Sequence, residues 1–573
     1  MPARINNGKG PSVCIIGGGV SAISLGLELD RRGLTNWAVY ERLDGIGGTW
    51  WTNRYPVPAL VYSHSRFQNP NWSQTHPPRK EIQAYWQDIV VKENLMDRFH
   101  LQREYIKAVW DAHRKLYVIT LRNLHNGELF DIEAHILVSA SGFLSEPQKI
   151  NTLPGVDKFN GQVWHAANWP EEATNEYLHG KKVAVIGNGC SGVQIVATLG
   201  LDPEIETISV ARTKQWFVPS PPGHPRNSVP YAEWRKALRR AFPPIQWLER
   251  AILCTIMDST FYLALQKDGA RSRRFLEKWC AKWMLRRYPE SMRANAIPSH
   301  PLASKRLIFE DGYFAALNRP HVSAHFGRIE GFTPNAMILD NGKEVDADVV
   351  VMATGYDAEG CTPLVHAGID TATFKSRAEW KVYRGVMMPG LPNFFMLLGN
   401  DLGLNHMSIT SVVEIQANYI AQIVQAMYEY EIDAVEPKQS ATDKYDQELA
   451  NRLDKTTWVT VRNYWRGDGG TGRIFTHYPG TVRRLWYEHN TPIWNDFYGT
   501  EELVAAENRR RTVVSVLIAF ALGVFFNPSE TSTNLRHLVA VLLASAFVHL
   551  KTLASAVPYV DRIPAVAKLV HSA

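Results

Sequence analysis

Two glycine-rich stretches, and the charged residues that follow them, are the parts of this chain whose types and spacing can do chemistry. The first reads Gly17-Gly18-Gly19-Val20-Ser21-Ala22, after the short apolar run Ser12 to Ile16 and before a helical pattern from Ile23 to Leu29. Gly17 permits a tight turn, Gly19 lets the backbone approach a pyrophosphate, and Ala22 lets the helix pack close on its strand, with helix N–H groups facing the phosphates. Glu41, with Arg42 beside it, ends a second strand, Trp37 to Tyr40, where an acid can hydrogen-bond a ribose hydroxyl. The second stretch, Gly187-Asn188-Gly189-Cys190-Ser191-Gly192, follows the β-type run Lys182 to Ile186. Here the next strand, Ile205 to Val210, leads not to an acid but to Arg212, Thr213 and Lys214. A cation at that place pairs with a 2′-phosphate that a carboxylate would repel, so the second site favours NADPH over NADH.

Two strand–loop–helix units of this kind require a large α/β protein, and the length agrees. At 573 residues the chain is too long for one core, and about three structural units are expected. Hydrophobic content of 45% and charged content of 21% describe a folded globular enzyme. The net charge of +6 is dispersed apart from clusters such as Arg509 to Arg511, which argues against nucleic-acid binding. Five scattered cysteines (Cys14, Cys190, Cys254, Cys280, Cys361) show no metal-ligand spacing, so reduced thiols and no zinc site are expected. Met1 to Pro11 is polar and leads straight into a strand, so the bulk of the enzyme is expected to face the cytosol.

Between the two loops lies Phe159-Asn-Gly161-Gln-Val-Trp-His165-Ala-Ala-Asn-Trp169-Pro170. Its F-x-G-x-x-x-H-x-x-x-W-P spacing resembles the fingerprint of the Baeyer-Villiger monooxygenases, class B flavoenzymes that use NADPH and dioxygen to turn ketones into esters or lactones. Related N- and S-oxidising flavin monooxygenases share the first half of the pattern but not Trp169-Pro170. Gly47-Gly48-Thr49-Trp50-Trp51 and Asn53-Arg54-Tyr55-Pro56 resemble the family run that wraps the flavin, which implies FAD in the first fold. Similarity resumes at Tyr62-Ser63, and no Asp or Glu occurs between Asp44 and Glu81. Family members carry an aspartate in this stretch, so a deletion of about five residues is inferred. Ser139 to Pro147 resembles a further turn beside the flavin's adenosine half.

Ser304-Lys305-Arg306-Leu307 resembles the family's G-C-K-R-P motif. The resemblance places the catalytic arginine on Arg306 and a lysine that contacts the NADP phosphate on Lys305. It places His165 in the fingerprint, more as a link between cofactor domains than as a proton shuttle. The implied reaction is reduction of FAD by NADPH, then insertion of one oxygen atom from O2 next to a ketone carbonyl, beside a fixed cation. Two alternatives stay open: N- or S-oxygenation by the same activated oxygen, and an uncoupled NADPH-dependent flavin reductase.

The expected architecture is two Rossmann-like dinucleotide-binding domains, for FAD and NADPH, with a helical insert and a hydrophobic C-terminal tail. The FAD domain takes 1–150 and 349–500, the NADP domain 151–222 and 301–348, the insert 223–300 and the tail 501–573. In the tail, 512–526 and 538–550 are apolar runs, each shorter than the roughly 20 residues of a spanning helix. As a hairpin they anchor the protein on the cytoplasmic face of a membrane, with Arg509 to Arg511 and Lys551 on the cytosolic side. The other reading is a pair of buried packing helices or a dimer contact. The bulky, aromatic insert points to a hydrophobic, secondary-metabolite ketone.

Overall fold

Each glycine loop forms the first crossing of a parallel sheet, and the two crossings are built alike. The computed structural model describes residues 10–55, 63–150, 153–219, 230–357, 377–463, 465–509 and 512. β1 (Val13–Ile16) ends at Gly17, α1 (Val20–Arg31) crosses back, and β2 (Trp37–Tyr40) follows. Next come α2 (Arg79–Lys92), β3 (Phe99–His100), an antiparallel meander of β4 (Arg103–Asp111), β5 (Leu116–Asn123) and β6 (Leu129–Ala134), and then β7 (Ile136–Ser139). The second crossing starts from β8 (Gln162–His165) and β9 (Lys182–Ile186), and runs through α3 (Cys190–Leu199) to β10 (Glu206–Ala211).

β11 (Phe217–Val218) leads toward three helices: α4 (Glu233–Ala241), α5 (Pro244–Thr260) and α6 (Ala270–Leu285). The chain returns through β12 (Ile308–Phe309), which pairs with β11, and β13 (Val322–Phe326). β14 (Ile329–Phe332), β15 (Ala336–Leu339) and β16 (Glu344–Asp346) make a small antiparallel sheet. β17 (Val349–Met352), β18 (Phe394–Met396) and the long α7 (Ile409–Glu429) follow.

The first sheet runs β3-β2-β1-β7-β18 and the second β13-β10-β9-β17-β8, with every pairing parallel. In both, chain order reverses beside the strand that carries the glycine loop, between β1 and β7 and between β9 and β17. That reversal opens a crevice at the strand ends, where dinucleotides bind.

The expected return to the first sheet at Val349 is not what forms. β17 lies between β9 and β8 in the second sheet, and the chain re-enters the first only at β18. The physical reason is burial on both faces: Val349 to Met352 are all under 5% exposed, as a central parallel strand requires. The 349 boundary therefore moves beyond β17. Three helices, α4 to α6, lie between β11 and β12, and the fingerprint segment is itself structural, with β8 as an edge strand and Phe159 packed against Phe332 in the second core.

Two compact units divide after Thr491. In the smaller, residues 501–509 are helical, and the Thr500 hydroxyl donates to the Trp494 carbonyl at 2.6 Å. Among the described residues no helix is long and apolar enough to cross a membrane. The apolar runs of the tail, apart from Thr512, lie outside the described residues, as do Tyr62, Cys361 and the short stretch where the deletion falls. Cys14, Cys190, Cys254 and Cys280 are free thiols, as expected.

Candidate active site

The residues chosen from sequence converge on one cleft of about 2510 Å³ within the larger unit. It is lined by both glycine loops, Glu41, Arg42, Gly48, Thr49, Trp50, His165, Arg212, Thr213, Lys305 and Arg306. Ala22 and Gly192 stand just behind the wall as packing supports. Ala22 is fully buried, and a Cβ on Gly192 would meet the Gly187 carbonyl oxygen at 1.8 Å.

The two turns share one geometry. Gly17 (φ 103°) and Gly187 (φ 110°) both adopt a backbone open to glycine. A Cβ on the first would lie 2.7 Å from the Ala140 oxygen, and on the second 2.5 Å from the Ala353 oxygen. The A-T-G-Y turn after β17 is thus the second fold's counterpart of the turn after β7. In the first fold the Gly-Gly-Thr-Trp run closes on the loop, with the Gly47 amide donating to the Gly18 carbonyl at 3.0 Å. Glu41 is buried, and its carboxylate accepts from the Gly18 amide at 2.5 Å and the Leu43 amide at 2.8 Å. It braces the loop as well as standing where a ribose is expected.

In the second fold the Asn188 side chain donates to the Thr213 carbonyl at 2.7 Å, tying the loop to the residues after β10. Burial first, and Arg212 second, hold the Lys305 ammonium below its ordinary range. Neither cation has an acidic partner within ion-pair distance among the described residues. His300 links the segments that carry them, with Nε2 3.3 Å from the Lys214 carbonyl and Nδ1 3.2 Å from the Ser304 hydroxyl. Two cations facing each other without an acid call for a bound anion, which is what a 2′-phosphate supplies. Both halves of the cleft therefore fit dinucleotides.

Three consecutive residues of the first fold clamp it to the second. The Tyr356 hydroxyl donates to Asn53 Oδ1 at 2.8 Å, Arg54 pairs with Glu171, and the Tyr55 hydroxyl lies 2.9 Å from Ser191 Oγ. Their flavin-wrapping resemblance gave no hint of this second role. His165 works in the same joint. Its Nδ1 accepts from the Ala167 amide at 3.1 Å, so the proton sits on Nε2, 3.0 Å from the Gly355 carbonyl. With both nitrogens engaged and burial holding the ring below its ordinary pKa, the imidazole is neutral.

Arg306 is exposed to the cleft, which Met257 of α5 and Ile409 and Val413 of α7 also line. Of the polar residues near Arg306, Asn405 and His406 fall in the stretch Gly403 to His406, which resembles the family region near the flavin ring, while His477 and Asp258 lie in no motif. His477 Nε2 lies 2.6 Å from Asn405 Oδ1, its ring stands edge-on to Trp465, and His406 Nε2 lies 3.1 Å from Asp258 of α5. Burial, with Arg306 and His406 close by, pushes the His477 imidazole down to about 3. His477 and Asp258 lie far from that stretch in sequence and follow no spacing with it, so no sequence signal joins them to it.

The comparisons agree with this geometry. Residues 11–208 match the pyridine nucleotide-disulphide oxidoreductase family model. A monooxygenase of Mycobacterium tuberculosis is 30% identical over 80% of this chain and 90% of its own length. A Baeyer-Villiger monooxygenase of Pseudomonas aeruginosa is 29% identical over 82% of this chain and 88% of its own. The crystal structure of OTEMO in complex with FAD and NADP covers 83% of this chain and 97% of its own, with a TM-score of 0.70 and 22% identity. The chain belongs to the Baeyer-Villiger monooxygenase family of NADPH-dependent flavoproteins.

Proposed function

We propose that this protein inserts one atom of dioxygen next to the carbonyl of a hydrophobic ketone, giving an ester or lactone. The observation that carries the reading is the single cleft that holds both glycine loops and Arg306. When bound, FAD and NADPH supply oxygen activation and hydride respectively.

The chain's own residues hold and orient. Glu41 and the Gly17 turn receive the first dinucleotide; Ser191, Arg212, Thr213 and Lys305 receive the second. Arg306 keeps a positive charge at every working pH and stabilises negative charge that develops at the cleft wall. His477 stays neutral, so it neither competes with that cation nor adds a second charge. Phe475, Trp465 and Leu404 line the same cleft and give it an apolar wall suited to a hydrophobic substrate. His165 is a positioning residue, since its proton is committed to Gly355.

Purified protein supplied with NADPH and a panel of cyclic, aromatic and polycyclic ketones should form esters or lactones, and an amine or thioether should give little product. Exclusive oxidation of the heteroatom substrates would favour the other branch of the flavin monooxygenases. A second reading, an uncoupled reductase, is motivated by the lack of any acid between Asp44 and Glu81. It is separated by the ratio of product to NADPH consumed, which is near one for a coupled enzyme and near zero, with hydrogen peroxide released, for a reductase. The tail completes the proposal: 512–526 and 538–550 form a hairpin anchor on the cytoplasmic face. Alkaline carbonate extraction of membranes from expressing cells should leave the full chain in the pellet and release a chain ending at Arg509.

A further inference from the structure

The helical insert exposes what a folded protein ordinarily hides. Of the 21 large hydrophobic side chains exposed among the described residues, nine fall between Trp234 and Trp279. They sit on each successive segment: Trp234, Leu238 and Phe242 on and after α4, Leu248 and Ile252 on α5, Tyr262 and Leu263 in the turn after it, and Phe275 and Trp279 on α6. Trp234 and Phe275 are each 70% exposed. The segments are fastened to one another. Glu249 of α5 takes Arg235 and Arg239 of α4, and the Ser272 hydroxyl of α6 donates to the Leu263 carbonyl at 2.7 Å. Such a concentration of exposed apolar side chains marks an interaction surface.

Its charge says what kind. On α6 the exposed residues are Arg271, Arg274, Phe275, Lys278, Trp279 and Lys282, one helical stripe in which cations surround two aromatics. The one acid of α6, Glu277, is turned inward and accepts from the Leu302 amide at 2.9 Å. A shallow groove beside the stripe is lined by Lys278, Ala281, Lys282, Leu285, Arg286 and Arg293. Clustered cations next to an apolar floor suit a phosphate headgroup and the top of its acyl chain.

We propose that the outer face of the helical insert docks on an anionic phospholipid bilayer, with its aromatic side chains at headgroup depth and its cations on lipid phosphates. Other occupants lack the charge. A two-fold copy of this face would set the α6 cations against themselves. The chain's own residues 513–573 carry two acids, Glu530 and Asp561, against four cations, Arg536, Lys551, Arg562 and Lys568, and do not neutralise the stripe. Tryptophan and phenylalanine flanked by arginine and lysine are the composition of an interfacial helix. The same α5 that shows Leu248 and Ile252 outward turns Met257 into the cleft. If the proposed oxygenation is right, the docked enzyme draws its ketone from the lipid phase.

The test needs no activity, so its outcome is independent of that of the proposed reaction. FAD-loaded full-length protein is floated with vesicles of phosphatidylcholine, with and without phosphatidylserine, beside the variant R271E/R274E/K278E/K282E and the variant F275S/W279S. The wild type should float at least about tenfold more with the anionic vesicles, and lose that advantage at high salt. Both variants should lose about tenfold or more while keeping their far-ultraviolet spectrum and bound FAD. Equal flotation of wild type and variants, through the tail or otherwise, overturns the proposal. So does a dimer in sedimentation that the F275S/W279S change dissolves.

Discussion

At the scale of single residues, the site works by keeping one charge and silencing its neighbours. Arg306 is a permanent cation, while His165 and His477 are held neutral by burial and by committed hydrogen bonds. Replacing Arg306 by Lys removes the planar fork but keeps the charge, and Arg306→Ala removes both. Product formation should fall by about a hundredfold or more in either variant, with NADPH consumption persisting, as read by chromatography beside absorbance at the nicotinamide band. The residues just before it carry a backbone cost. Ala303 is buried at φ 64°, a left-handed conformation that costs an L-residue roughly 1–2 kcal/mol. Relief of that strain offsets the buried methyl lost from the core and the extra entropy of glycine, so Ala303→Gly should leave stability within about 1 kcal/mol of wild type, read as a nearly unchanged urea midpoint.

At the scale of elements, the two crossings are copies with different endings, and the endings decide which dinucleotide each takes. Arg212 follows β10 where Glu41 follows β2, and its charge repels that of Lys305, which lines the same cleft. Arg212→Glu should raise the KM for NADPH by about tenfold or more and that for NADH by much less, measured in the same initial-rate assay. The turn itself has no room to give. Gly192→Ala places a methyl against backbone at Gly187, so this variant should lose NADPH binding while still retaining FAD, as read by nicotinamide titration and the flavin spectrum.

At the scale of the whole molecule, buried histidines tie stability to pH. Burial pushes His477 down to about 3 and His489 down to about 4, against an ordinary value near 6.5. Below pH 6.5 the unfolded chain takes up protons that the folded chain refuses, so the stability present above 6.5 is lost as pH falls. Asp401 acts the other way. Burial outweighs its pair with Arg473 and raises its carboxyl to about 7, so it favours the folded state as pH falls from 7 toward 4. It offsets one of the two histidines. Stability should therefore fall as pH drops from 6.5 toward 4, as read from urea midpoints at stepped pH. His489→Asn should flatten that slope by about one proton; an unchanged slope would assign the loss elsewhere.

Local spacing determined most of what this protein is. Glycine loops, their strands and the Glu41 and Arg212 endings are set by residues within a few turns of one another, where backbone sterics and strand period leave few choices. The fingerprint around His165 named the family for the same reason. Only the tertiary structure decided that β17 belongs to the second sheet, because two buried apolar strands read alike until their neighbours are known. It alone placed Asn53, Arg54 and Tyr55 against the second fold, brought Asn405, His406 and His477 to the cleft that Arg306 lines, and left Trp234, Phe275 and Trp279 facing outward. Contacts between residues far apart in sequence carry no period, and an apolar helical stripe has the same spacing whether it faces a core or a lipid.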